Sequence, residues 1–203
     1  MQRYDRRTAL VVVDLQNDFA DPKGGLAVHG GANLVPIING EIAMARAAEA
    51  LVVFTQDWHP QTTPHFAKDG GTWPVHCVAE TWGADLHRSV DPDAARDAPR
   101  IRKGANGEDG YSGFTMRDPV SGETRPTDLE PLLRAHAVER VVVCGLATDY
   151  CVKATAVDAA RLGFETAVLL DAIRPVELEA GDEQRAIDEM TAAGVHPWAT
   201  RMR

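Results

Sequence analysis

Apolar residues in this chain fall into two kinds of run, and their alternation predicts its elements. Short stretches dominated by Val, Leu and Phe mark buried strands at Ala9–Val13, Leu51–Thr55, Arg140–Cys144 and Thr166–Leu170, with a shorter strand at Arg100–Lys103. Between them, apolar positions recur with helical spacing. Helices are predicted from Asn33 to Ala50 (Pro36 is tolerable near the start), from Thr127 or Asp128 to about Ala137, after Cys151 up to Gly163, and from about Gly181 to Ala193. The tail Val195–Arg203 is expected to add a last short strand. Pro22, Gly24, Gly25, Gly30 and Gly31 mark one loop, and Gly104–Gly113 another. Strand and helix alternate throughout, which predicts an α/β fold: a three-layer αβα sandwich with a mostly parallel central sheet.

Asp57 to Asp97 breaks the pattern. It has little periodicity, yet it holds three of the four tryptophans and four of the seven histidines. A loop-rich segment of this length in a compact domain is usually functional. No repeat, low-complexity tract or linker interrupts the chain, so residues 1–203 are expected to form a single domain.

Composition narrows the function classes. The fractions of hydrophobic (44%) and charged (25%) residues are ordinary for a globular protein. A net charge of −9 with no block of Lys or Arg argues against nucleic acid or an anionic membrane surface as partner. The apolar run after Arg3, Arg6 and Arg7 is too short for a signal-peptide core, and no stretch reaches the length of a membrane span. Three scattered cysteines form no disulfide framework, so a cytoplasmic home is expected.

The candidate chemistry gathers where predicted strands end. In V-V-V-C-G-L-A-T-D-Y-C, Val141–Cys151, a strand runs into a turn with Thr148 and Asp149 as candidate N-caps. Cys151 then falls in the first turn of a helix, where dipole and free N–H groups favour thiolate, although a small buried cysteine would read the same way. Asp14 and Lys103 end two other strands. They could supply a proton acceptor and a positive charge to the thiol, or be a solvated turn acid and a surface lysine. Asp57, His59, His65 and His76 place a carboxylate and three imidazoles within twenty residues, a donor set that Zn, Mn or Fe(II) accepts. Phe19, Trp58, Trp73 and Tyr111 lie in the same loops. They could wall a small flat ligand or simply anchor the loops.

Taken in order, D-L-Q-N-D-F from Asp14, T-Q-D-W-H-P, P-H-F, W-P-V-H-C, the Lys103–Gly104 pair, Y-S-G-F at Tyr111–Phe114 and G-L-A-T-D-Y-C resemble the nicotinamidases. These enzymes, also called pyrazinamidases, belong to the isochorismatase-like cysteine hydrolase superfamily. The resemblance implies an amidase that converts nicotinamide to nicotinate and ammonia, with catalytic residues Asp14, Lys103 and Cys151. It implies one divalent metal on Asp57, His59, His65 and His76, with Phe19 and Trp73 flanking the pyridine ring and Tyr111 at the pocket mouth. A cis peptide at Leu146–Ala147 is expected, with the amides of Ala147 and Cys151 as oxyanion hole. Pro60–Thr63 and Met116–Arg125 are where this chain is expected to differ in detail. Family members often self-associate, so a homo-oligomer is compatible. A related hydrolase of another small amide and a non-catalytic binding module remain the alternatives.

Overall fold

The computed structural model describes residues 3–199. The end of the predicted C-terminal strand, Thr200–Arg203, lies outside them. Six parallel strands form the central sheet: β1 (Thr8–Val13), β2 (Leu51–Asp57), β3 (Arg100–Lys103), β6 (Arg140–Leu146), β7 (Glu165–Arg174) and β8 (His196–Trp198). Their spatial order is β3-β2-β1-β6-β7-β8. Two elements had no signal in the apolar pattern, a small antiparallel hairpin of β4 (Thr115–Arg117) and β5 (Thr124–Pro126). Its residues are exposed or half-buried, so no alternation of inward and outward positions marks it.

β1 shows why the sheet needs cover on both faces. Leu10 and Val12 point into one apolar cluster, and Ala9, Val11 and Val13 into the other. The first cluster is closed by α2 (Leu34–Ala47) through Leu34, Ile38 and Ile42. The second is closed by α4 (Leu129–Ala135), α5 (Lys153–Arg161) and α6 (Asp182–Ala192), through Leu133, Ala156 and Met190 among others. The result is the three-layer sandwich. Two short helices complete it, α1 (Asn17–Ala20) and α3 (Pro92–Asp97); α3 has Asp91 as N-cap and Pro92 at N1. Among the described residues no helix is long and apolar enough to cross a membrane.

The chain travels outward from β1 to β2 and β3, then returns to lay β6, β7 and β8 on the other side. The strand order therefore reverses between β1 and β6, and a crevice opens at their carboxyl ends. Asp14 follows β1, and the turn to Cys151 follows β6. The predicted elements sit where the periodicity placed them, with edges shifted by a few residues: β2 runs on to Asp57, β6 to Leu146 and β7 to Arg174.

Candidate active site

Register brings the first pair together. Asp57 and Lys103 are the last residues of β2 and β3 and lie directly opposite one another. Lys103 is almost completely buried (1% exposed), and its Nζ reaches Asp57 Oδ1 at 2.9 Å and Asp14 Oδ2 at 2.7 Å. Nζ also donates to the Tyr111 carbonyl at 3.3 Å and lies 3.6 Å from Cys151 Sγ. Asp14 leaves β1 with φ 46°, a left-handed conformation that Asp tolerates better than most residues. Its other oxygen accepts from Thr55 Oγ1 at 2.6 Å. Carboxylate oxygens of Asp14 and Asp57 and the Cys151 sulfur all lie within 4.8 Å of one another. The three residues that sequence reading singled out thus meet around one ammonium.

Burial sets the protonation of this cluster. It pushes the Cys151 thiol well up, and Lys103 pulls it down by less. The expectation of a resting thiolate is therefore corrected: the thiol is buried at the floor of a cleft, and desolvation outweighs the nearby charge. Burial also raises the Asp14 carboxyl, against the opposing pull of Lys103 and Thr55. For Asp57 the balance reverses. Burial would raise it, but the Lys103 ammonium at 2.9 Å leads the interactions that hold its carboxyl well below the usual range. Although burial alone would lower the Lys103 ammonium, Asp14 and Asp57 keep it charged.

The turn into Cys151 also differs from its expected form. Thr148–Val152 is one π-helical turn that leads into α5, and its N-cap is Ala147 with no side-chain cap. Asp149 serves elsewhere: its oxygens accept from the amides of Val176 and Glu177 at 3.0 and 2.9 Å. The Leu146–Ala147 peptide is cis, as expected.

His59, His65 and His76 come together beside this cluster, with one ring nitrogen of each within 4.8 Å of the others. Asp57 Oδ2 faces His59 Nε2 at 3.9 Å and His76 Nε2 at 3.8 Å, too long for hydrogen bonds. His76 Nδ1 lies 2.7 Å from the Pro74 carbonyl; this assigns its proton there and turns the Nε2 lone pair toward Asp57. Both ring nitrogens of His59 are buried without a partner. Lone pairs and a carboxylate facing one another across short gaps fit a divalent cation, which would satisfy them together. His65 is held neutral, its pKa lowered to about 4 by burial and then by His59 and His76.

A cleft enclosing ≈ 370 Å³ of empty space, open solvent at its mouth included, joins the two groups. Asp57, His65, His76 and Cys151 line it, with Phe19 and Trp73 as aromatic walls and Ala147 beside the thiol. Tyr111 is 39% exposed at the mouth, and its hydroxyl accepts from Trp73 Nε1 at 3.1 Å. Trp58 stays outside the cleft and stacks under Arg102, so it anchors the loop. Sequence reading missed Leu26, Tyr150 and Val176 in the wall. Tyr150 could have been found as the neighbour of the cysteine, and it packs edge-on against both Trp73 and Tyr111. Leu26 and Val176 are loop residues outside any periodic run and carry no signal.

Residues 8–201 match the isochorismatase domain. The nicotinamidase of Escherichia coli is 38% identical over 202 residues, spanning 92% of each chain. The crystal structure of a pyrazinamidase of Pyrococcus horikoshii in complex with zinc superposes with a TM-score of 0.84 at 40% identity, over 95% of this chain and 99% of that one. The yeast nicotinamidase Pnc1p bound to the inhibitor nicotinaldehyde gives a TM-score of 0.86 at 31% identity, over 95% and 99%. A buried Cys–Lys–Asp cluster beside an Asp–His donor set, on this sheet order and with these similarities, places the chain in the isochorismatase family, among its nicotinamidases and pyrazinamidases.

Proposed function

We infer that this protein is a nicotinamidase, hydrolysing nicotinamide to nicotinate and ammonia through a cysteine thioester. One observation carries the reading furthest: the buried Asp14–Lys103–Cys151 cluster and the Asp57/His donor set open into the same aromatic-walled cleft. A binding module would have no need of a thiol, a proton acceptor and an ammonium packed together at the cost of burying all three.

The substrate ring lies between Phe19 and Trp73, with its carboxamide carbon over Cys151. The thiol keeps its proton until attack. Asp14 then accepts it, and the raised affinity of that carboxyl for protons narrows the gap between donor and acceptor. Sulfur adds to the carbonyl carbon, and the oxyanion is taken by the amides of Ala147 and Cys151, a donor being worth about 3–4 kcal/mol in comparable acyl transfer. Asp14 returns the proton to the departing nitrogen, ammonia leaves and a thioester remains. Water then attacks the thioester while Asp14 takes its proton; collapse releases nicotinate and restores the thiol. Lys103 holds Asp14 and Cys151 in place and balances the charge as it moves.

We assign the divalent ion to Asp57, His59, His65 and His76, and propose zinc, on the donor set and the zinc complex of the Pyrococcus relative. When bound, it supplies a Lewis-acidic point for the pyridine nitrogen, which orients the ring relative to Cys151. We propose that residues 1–203 form one catalytic domain.

Cys151→Ala is expected to abolish ammonia release from nicotinamide while leaving the circular dichroism spectrum and the zinc content unchanged. Turnover within ten-fold of the parent, on the order of 1.4 kcal/mol in barrier, would refute the covalent route.

A further inference from the structure

Two residues of the D-L-Q-N-D-F segment, Gln16 and Asp18, have no part in the reaction, yet their side chains reach across the molecule. Gln16 is fully buried, and its amide grips the peptide of Asp57 at both polar groups. Nε2 donates to the Asp57 carbonyl at 2.7 Å, and Oε1 accepts from the Asp57 amide at 2.8 Å. The same Nε2 donates to the Ala84 carbonyl at 2.8 Å. The side chain thereby continues the ladder between β1 and β2 at the point where Asp57 turns its carboxylate toward the imidazoles.

Asp18 acts on the other side of the centre. Its Oδ2 accepts from the amide of Cys77 at 2.6 Å, and its Oδ1 from the amide of Gly25 at 2.8 Å. Cys77 follows His76 directly and sits at φ 46°, a left-handed conformation that a Cβ-bearing residue holds only when its surroundings impose it. The carboxylate is pressed against Gly83: a Cβ there would lie 2.0 Å from Asp18 Oδ2, so no side chain fits.

We propose that Gln16 and Asp18 are positioning residues of the metal centre, Gln16 fixing the peptide of Asp57 and Asp18 the His76–Cys77 corner. The proposal rests on Asp57 and His76 being metal ligands, and it gives the non-catalytic part of the motif a task. Partners outside the ligand shell typically change metal affinity by about 10–100-fold when removed. Asp18 also holds the amide beside Leu26, a wall of the cleft, so its loss acts on substrate binding as well.

The test is zinc affinity, measured on chelator-stripped protein by competition with a chromophoric chelator. Gln16→Met, Asp18→Asn and Gly83→Ala are each expected to raise the zinc dissociation constant by about 10–100-fold with the circular dichroism spectrum unchanged. Gly83→Ala replaces neither a ligand nor a substrate contact; its added Cβ meets the Asp18 carboxylate first, next to the Ala84 carbonyl that Gln16 holds. At saturating zinc, Asp18→Asn should still show a raised KM for nicotinamide, whereas Gln16→Met should not. Leu133→Ala in the distant core is the control for general destabilisation, expected to lower Tm and leave zinc affinity alone. If Gln16→Met does not fold, Gln16→Glu, which keeps the length and the acceptor, carries the comparison. Zinc binding within two-fold of the parent in the folded variants would overturn the proposal. Parent-like zinc binding by His76→Ala would instead refute the ligand assignment beneath it.

Discussion

Lys103 is a fully buried ammonium held between two carboxylates, and it is the residue on which the site's charge balance turns. Removing one partner of a buried ion pair costs about 3–5 kcal/mol, because the other is left charged in a dry place. Lys103→Met leaves Asp14 and Asp57 together without a cation, so the variant is expected to lose that much stability as well as its activity. The deficit should depend on pH in a definite sense. Without Lys103, the Asp14 carboxyl, which burial already raises, would titrate further above its unfolded value. The folded variant then binds protons that the unfolded chain does not, and stability returns as pH falls. Urea denaturation of metal-stripped parent and variant should show the larger gap near about pH 8 and a smaller one near about pH 5. A gap of equal size at both would show that the carboxylate charges are not its source.

At the level of elements, β6 binds the two halves of the sheet at the point where their order reverses. Its register with β1 pairs Val13 with Gly145, one residue before Asp14 and two before Ala147. Gly145 has φ 114°, and a Cβ there would lie 2.0 Å from the Val13 carbonyl oxygen. Gly145→Ala must therefore push β6 away from β1 at the edge where both Asp14 and the Cys151 turn begin. A loss of about 1–3 kcal/mol in stability and a larger loss in kcat are expected, measured by denaturation and by ammonia release. A variant with lowered stability but parental kcat would show that the edge can relax without disturbing the site. The strand itself was legible in Arg140–Cys144, as was the placing of Asp14, because a buried strand ends where a polar residue breaks the apolar run; Cys151 was placed by the helical period that follows it. The shape of the His-rich loop was not. It is set by hydrogen bonds that Gln16 and Asn17 donate to, and Asp18 accepts from, backbone 41 to 68 residues away, which leave no local period. Asp149 was misread for the same reason. Aspartate before a helix reads as a cap, but its partners are the amides of Val176 and Glu177, reached only once β7 is in place. The family motifs, more than periodicity, singled out the histidines that the fold brings together.

For the molecule as a whole, the buried histidine cluster ties stability to pH. Three imidazoles and a carboxylate share a site that burial keeps largely dry, and His65 stays neutral there down to about 4. In the unfolded chain the same side chain titrates near about 6.5. Between those values the unfolded state binds a proton that the folded state refuses, so metal-free protein loses stability as pH falls from about 6.5 to about 4. Other groups titrate nearby, Asp14 among them and in the opposite sense, so the contribution of His65 is read as a difference between proteins. Thermal midpoints of metal-stripped parent and His65→Gln, taken at about pH 7, 5.5 and 4.5, should diverge as the pH is lowered, the parent falling further. Parallel curves would mean that His65 is protonated in the folded protein. Zinc reverses the comparison. It binds only neutral imidazole, so on the proposed ligand assignment loading the parent should raise its midpoint most near about pH 7 and progressively less toward pH 4.5, while His65→Gln should gain less at every pH.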